Sequence, residues 1–199
     1  MFRANITRDE ANARSAQLHV ESYEVVVDLT GRRPDGTPLA DGAATFTSTT
    51  TVRFGSIACV TNANLIADEL IAATLDGEPV PAEAFDGEHL TLELSEGDHV
   101  LETISVMRYS RTGEGLHRFV DPTDDRVYLY SQFEVADARR MFATFEQPDL
   151  KATFQFTVLA PQEWTVLSNS PAVEPAAVDD RFARWEFAPT ARISTYITA

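Results

Sequence analysis

The sequence predicts an all-β domain with one or two short helices. Three observations carry this: apolar residues recur with period two in most segments, turn-forming residues punctuate those segments at short intervals, and long runs of helical period are scarce. At 199 residues, with 44% hydrophobic and 24% charged side chains, the chain suffices for one domain with a full core and is too apolar to stay disordered.

Thr7 followed by Glu10 is a capping-box pattern, which places a short helix over residues 8 to about 16. Period two begins in residues 19–29, where Tyr23, Val25, Val27 and Leu29 share one face of a half-buried strand. Residues 31–42, rich in Gly, Pro and Asp, read as a loop, and the β-branched run 45–54 reads as a strand. Asp76-Gly77 and Asp86-Gly87 are tight-turn signals, with Leu90, Leu92 and Leu94 alternating behind the second, so a hairpin ladder is expected. Val100, Ile104 and Val106 continue the pattern up to a loop at 111–115, whose glycine spacing makes no dinucleotide fingerprint. A strand over 126–134 and a short helix over 135–142 follow, then strands at 152–159, 164–168, 184–187 and 193–198.

The formal charge of -15, from 31 acidic and 16 basic residues, repels phosphate backbones and anionic lipid, so neither nucleic acid nor a membrane is expected as partner. Cys59 is the only cysteine and sits among apolar neighbours, which suits an inert thiol in a reducing compartment. No apolar run approaches the roughly 18 residues that span a bilayer, and the first residues lack a signal-peptide core, so a cytoplasmic location is expected. The Asn5-Ile6-Thr7 sequon is then a chance match.

No self-contained catalytic or metal site is visible. His19, His89, His99 and His117 include no pair at the spacing that grips zinc from one helical face. HExxH, a nucleophile elbow, a phosphate-binding loop and a cysteine cluster are all missing. The isolated chain is expected to be inactive.

Four segments carry a family resemblance: GLHRF at 115–119, YLYSQFEVADARRMF at 128–142, FEQPDLKATF at 145–154 and WTVLSNSP at 164–171. In this order they resemble the GLYRS-like turn, the strand-and-turn segment, the FDEPxxKAxF segment and the WxxxSNxP segment of the N-terminal domain of aminopeptidase N enzymes, the M1 metallopeptidases. The resemblance runs from about Gly115 to the last residue. Thr144 stands where many members have cysteine, and Glu146-Gln147-Pro148 replaces the usual acidic pair before proline.

The resemblance implies a saddle-like β domain of sandwich-type sheets over residues 1–199, without the zinc catalytic domain that carries GAMEN and HExxH. Zinc would belong to that absent domain. The implied partners are the protein's own catalytic domain and peptide substrates. The family's QxE motif falls on Gln132 and Glu134, of which the glutamate helps hold the substrate's free α-amino group. Strand geometry agrees, since Gln132 and Glu134 at i and i+2 point to one face with Tyr128 and Tyr130, leaving Val127, Leu129, Ser131 and Phe133 toward the core. The β-rich run 192–199, with no polar tail, reads as a boundary inside a longer polypeptide. The competing expectations are a stand-alone β-sandwich interaction module and a scaffold relative that has lost its zinc ligands; the downstream reading frame separates them.

Overall fold

The computed structural model describes residues 6–199, so Asn5 of the sequon lies outside the described residues. Helix α1 (Arg8–Gln17) starts where the capping box places it: Glu10 N–H donates to the Thr7 hydroxyl at 3.3 Å, and Thr7 N–H donates to the Glu10 carboxylate at 2.6 Å. Strands β1 (Leu18–Asp28), β2 (Thr45–Ser56), β3 (Cys59–Asn64), β4 (Glu69–Leu75), β5 (Glu78–Pro79), β6 (His89–Leu94) and β7 (Gly97–Arg108) follow. The second half adds β8 (Gly115–Val120), β9 (Val127–Gln132), β10 (Thr153–Pro161), β11 (Ala176–Ala177) and β12 (Phe182–Glu186). The described residues form one eight-stranded sheet, in the order β11-β12-β10-β1-β2-β7-β4-β5, and two ribbons, β3-β6 and β8-β9. This is the all-β, sandwich-type architecture that the patterning predicts.

β1 pairs in parallel with β10 and antiparallel with β2. A bulge between Val20 and Ser22 shifts its phase by one residue, so Leu18 and Val20 before it and Tyr23, Val25 and Val27 after it are all buried. β7 corrects one expectation. One side carries the buried His99, Leu101, Thr103, Ser105 and Met107; of the three residues expected to continue the pattern, all on the opposite side, Val106 is buried and Val100 and Ile104 are half-buried. Hydroxyl and imidazole side chains fill much of that inner face, so the aliphatic alternation marks the outer one. The two turn signals also part ways. Asp76 and Gly77 have φ of 55° and 83° and join β4 to β5, but Asp86-Gly87 closes on a single bridge between Phe85 and Leu90, and β6 makes its ladder with β3.

The core gathers on β1. Tyr23 stacks on Phe154 at 4.7 Å, Phe142 meets Tyr23 edge-on at 6.1 Å, and Phe133 meets Phe142 edge-on at 6.1 Å. The helix expected over 135–142 is a single 3₁₀ turn, Ala138–Arg140, because neighbouring backbone is claimed elsewhere: Arg139 N–H donates to Glu146 and Arg139 C=O accepts from Ile66 N–H. Two expected strands are not formed. Residues 164–168 join no ladder among the described residues, and residues 193–198 contribute one bridge, Ala152–Ile193, and a 3₁₀ turn, Thr195–Ile197.

Candidate functional site

The β8–β9 ribbon positions the two residues that the sequence singles out. Its register sets Gly115 opposite Gln132, His117 opposite Tyr130 and Phe119 opposite Tyr128. Cross-strand partners point the same way, so one face carries Phe119, Tyr128, Tyr130, His117 and Gln132. His117 stacks on Tyr130 at 4.7 Å, and the Tyr128 hydroxyl donates to Asp124 at 2.9 Å. The alternation expected along β9 is present: Tyr128, Tyr130 and Gln132 are exposed, and Val127, Leu129 and Ser131 are half-buried.

β9 ends at Gln132, two residues short of the expected boundary. Phe133 then plunges into the core at 1% exposure, Glu134 returns to the surface, and the Glu134–Val135 peptide is cis. Gln132 and Glu134 are thus two exposed polar side chains on either side of an aromatic anchor. The ribbon is fastened at the same end. Gly115 has φ +67°, and a Cβ there would lie 2.9 Å from Arg140 Cβ, so only glycine lets β8 approach the 3₁₀ turn so closely. Arg140 Nε in turn donates to Asp137 at 2.8 Å.

The segment that follows the site carries a buried polar tie that sequence reasoning treats only as structural variation. Glu146 is 8% exposed and accepts from Arg139 N–H at 2.8 Å and from the Thr195 hydroxyl at 2.7 Å. Burial pushes its carboxyl above the usual range, against the pull of those two donors and of the Arg139 charge. The Glu146 N–H donates to Asn64 Oδ1, which also accepts from Arg14 of α1. The Tyr23 hydroxyl accepts from Phe145 N–H at 3.1 Å, and burial holds its pKa up at about 12. The segment after the site is therefore wired to α1, β1, β3 and residue 195. The one available signal is an acid directly after the mostly apolar stretch from Met141 to Phe145.

The histidines have separate surroundings: His19 is exposed, His89 lies 3.5 Å from Asp86, His99 is 2.7 Å from Asp76, and His117 packs on Tyr130. Among the described residues no group of three or more His, Cys, Asp or Glu side chains is placed to hold a metal ion, so the residues described do not fit a zinc site. Cys59 is half-buried on β3, and burial raises its thiol pKa, away from the reactive thiolate. Among the described residues no helix is long and apolar enough to cross a membrane.

Comparison with known proteins gives a consistent result. Aminopeptidase N of Streptomyces lividans is 49% identical over 202 residues, a match covering 98% of this chain and 22% of the relative. Aminopeptidase N of Acetobacter pasteurianus is 46% identical over 71 residues, covering 36% of this chain and 20% of the relative. Human glutamyl aminopeptidase is 38% identical over 64 residues, 32% of this chain and 7% of the relative. The matches thus span about a fifth or less of these relatives' lengths. The crystal structure of an E323A mutant of the M1 zinc metallopeptidase from Deinococcus radiodurans superposes with a TM-score of 0.71 over 92% of this chain and 41% of the other, at 16% identity, a likeness of fold. Residues 67–197 match the peptidase M1 N-terminal domain, and with the Streptomyces relative spanning nearly the whole chain, this protein belongs to the peptidase M1 N-terminal domain family.

Proposed function

We propose that this chain is the substrate-positioning N-terminal domain of a zinc-dependent aminopeptidase, and that Gln132 and Glu134 receive the free α-amino group of a peptide. The observation that carries the reading is the exposure of both polar side chains around buried Phe133, at the end of a ribbon rooted in the core. An aminopeptidase must tell a terminal ammonium from an internal amide. A fixed carboxylate does so by pairing with the charged group and limiting how far the peptide enters. Gln132 both donates and accepts, which suits the backbone of the first residue. Relatives named aminopeptidase N and an M1 zinc metallopeptidase of the same fold support this reading. Amide hydrolysis, and the zinc that assists it, belong to the rest of the full-length polypeptide; this chain contributes positioning. Its partners are then its own catalytic domain and peptide substrates, in the cytoplasm.

The test is Glu134→Gln in the full-length enzyme. Charge-assisted hydrogen bonds contribute about 1.5–3 kcal/mol. Losing the charge should lower kcat/KM about 10- to 150-fold for unblocked peptides and leave binding of N-acetylated peptides nearly unchanged. Wild-type kcat/KM in a folded variant would remove the anchor role. The isolated chain should release no amino acid from amide substrates.

A further inference from the structure

A groove of about 910 Å³ opens beside the β8–β9 ribbon, over a floor of Val27, Phe156 and Val158. Two continuous stretches border it, residues 126–131 and 163–168. In the first, Val127 and Leu129 alternate with Tyr128 and Tyr130, which point to opposite faces of β9. A cavity lined by consecutive residues of a strand, whose side chains alternate between its faces, lies along the strand's edge. That edge is unpaired, since β9 makes its ladder with β8 alone among the described residues. The second stretch has a strand-like sequence and no ladder, and its Leu167 is 84% exposed.

The third border is Ala199. Asn169 holds the backbone there from both sides, donating to Ile197 C=O at 2.9 Å and accepting from Ala199 N–H at 2.6 Å, and the Ser168 hydroxyl donates to Ala199 C=O. The Ser168-Asn169 pair thereby fixes the course of residues 197–199 at the mouth of the groove. Residues 164–168, which the sequence marks as a strand and which join no ladder among the described residues, thus border an apolar groove with a free strand edge, and Ala199, just past the second such stretch, stands at its mouth. Strand-forming sequence lacking a partner is what remains when the partner strand lies elsewhere in the polypeptide.

We infer that the groove seats a β-strand from another part of the same polypeptide in the full-length protein. That strand pairs with the free edge of β9 and lays alternate apolar side chains on Val27, Phe156 and Val158. A full-length protein of the Streptomyces relative's size would have ample chain to supply it, because the match covers only 22% of that relative. A second copy is the poorer occupant, since each copy carries a net charge of -15 and two would repel. The inference rests on family membership and not on the roles of Gln132 and Glu134.

Amide hydrogen exchange, followed side by side in the full-length protein and in the 199-residue chain, tests it. Amides on the free edge of β9 should exchange at least about tenfold more slowly in the full-length protein, while the β1–β10 ladder exchanges alike in both. Asn169→Ala in the full-length protein should speed exchange along β9 and leave β1–β10 unchanged; loosening of both together would mark Asn169 as a general structural residue and count against the idea. Equal rates at β9 in the two proteins would overturn it. So would slowing of β9 in the 199-residue chain that grows with concentration, which would assign the groove to a second copy, or a reading frame that stops at Ala199. Glu134→Gln should leave the exchange pattern intact, so failure of the anchor and failure of the groove are read separately.

Discussion

β1 has a strand on each side and buries Tyr23, Val25 and Val27 beneath Phe142 and Phe154, whereas β9 has a strand on one side and leaves Tyr128 and Tyr130 48% and 52% exposed. Both strands alternate apolar and polar-tipped residues, so pattern alone does not separate them. What separates them is how many neighbours the chain supplies. Around β1 the ladders and aromatic contacts close on themselves, and stability is lodged there. The β8–β9 ribbon holds to the body through Phe133, the buried side of Leu116 and Leu129, the backbone bonds of Ser110 with β8 and the Gly115–Arg140 contact, and it presents its tyrosine face outward. Changes in the first region should therefore act on folding, and changes in the second on what the domain meets.

The largest effect should come from Phe154→Ala, which empties a space between Tyr23, Phe142 and Phe156 and should cost about 3–5 kcal/mol in denaturant unfolding. A loss below about 1 kcal/mol would mean the two regions are not energetically distinct. Gly115→Ala comes next, where the positive φ and the approach of Arg140 together should cost about 1–3 kcal/mol. Local exchange should rise in β8 and β9 first; a uniform rise would merge the regions.

A third test uses pH. His99 is buried with Nδ1 on Asp76 at 2.7 Å and Nε2 on Ser95 C=O at 3.1 Å, two acceptors that both favour N–H. Burial pulls its pKa down, but these acceptors and the nearby carboxylates outweigh burial and hold it above the ordinary value. A raised folded pKa stabilises fully below the unfolded value of about 6.5 and loses that contribution as pH rises through the folded value. Melting at increasing pH should therefore show wild type losing an advantage over His99→Gln, and parallel curves would rule out the His99–Asp76 pair as a pH-dependent source of stability. The smallest effect belongs to Tyr130→Ala, which should change stability by about 0.5 kcal/mol or less despite the stack on His117. A larger loss would place the ribbon with the core.

Where local chemistry decides the structure, the sequence is legible. The Thr7–Glu10 cap, the alternation in β1 and β9 and the turn at Asp76-Gly77 all form as expected, because each depends on residues within a few positions. Residues 164–168 have strand composition and join no ladder among the described residues, and residues 193–198 pair only at the Ala152–Ile193 bridge, since a ladder needs a partner that no local pattern supplies. β7 misleads because its inner face is filled by Thr103, Ser105 and His99, whose burial depends on distant contacts. The placement of Gln132 and Glu134 at the surface follows from alternation, and their identity as a pair comes from family resemblance. The buried tie at Glu146 is not legible in the sequence. Glu146 finds Arg139, Thr195 and Asn64 only after the chain has folded, from separations of seven, 49 and 82 residues.

The bulge in β1 acts as a half-step adaptor between two otherwise incompatible side-chain phases. Everything before it, including α1, is joined to the sheet through one extra residue. Deleting Glu21 would restore a straight ladder only by turning Leu18 and Val20 outward and swinging α1 to the other side of the strand. Arg14 would then leave Asn64, whose side chain also receives the Glu146 N–H. A single codon lost at position 21 would thus unseat the buried tie at Glu146, 125 positions downstream, by the rule that a one-residue slip reverses every side chain of a strand.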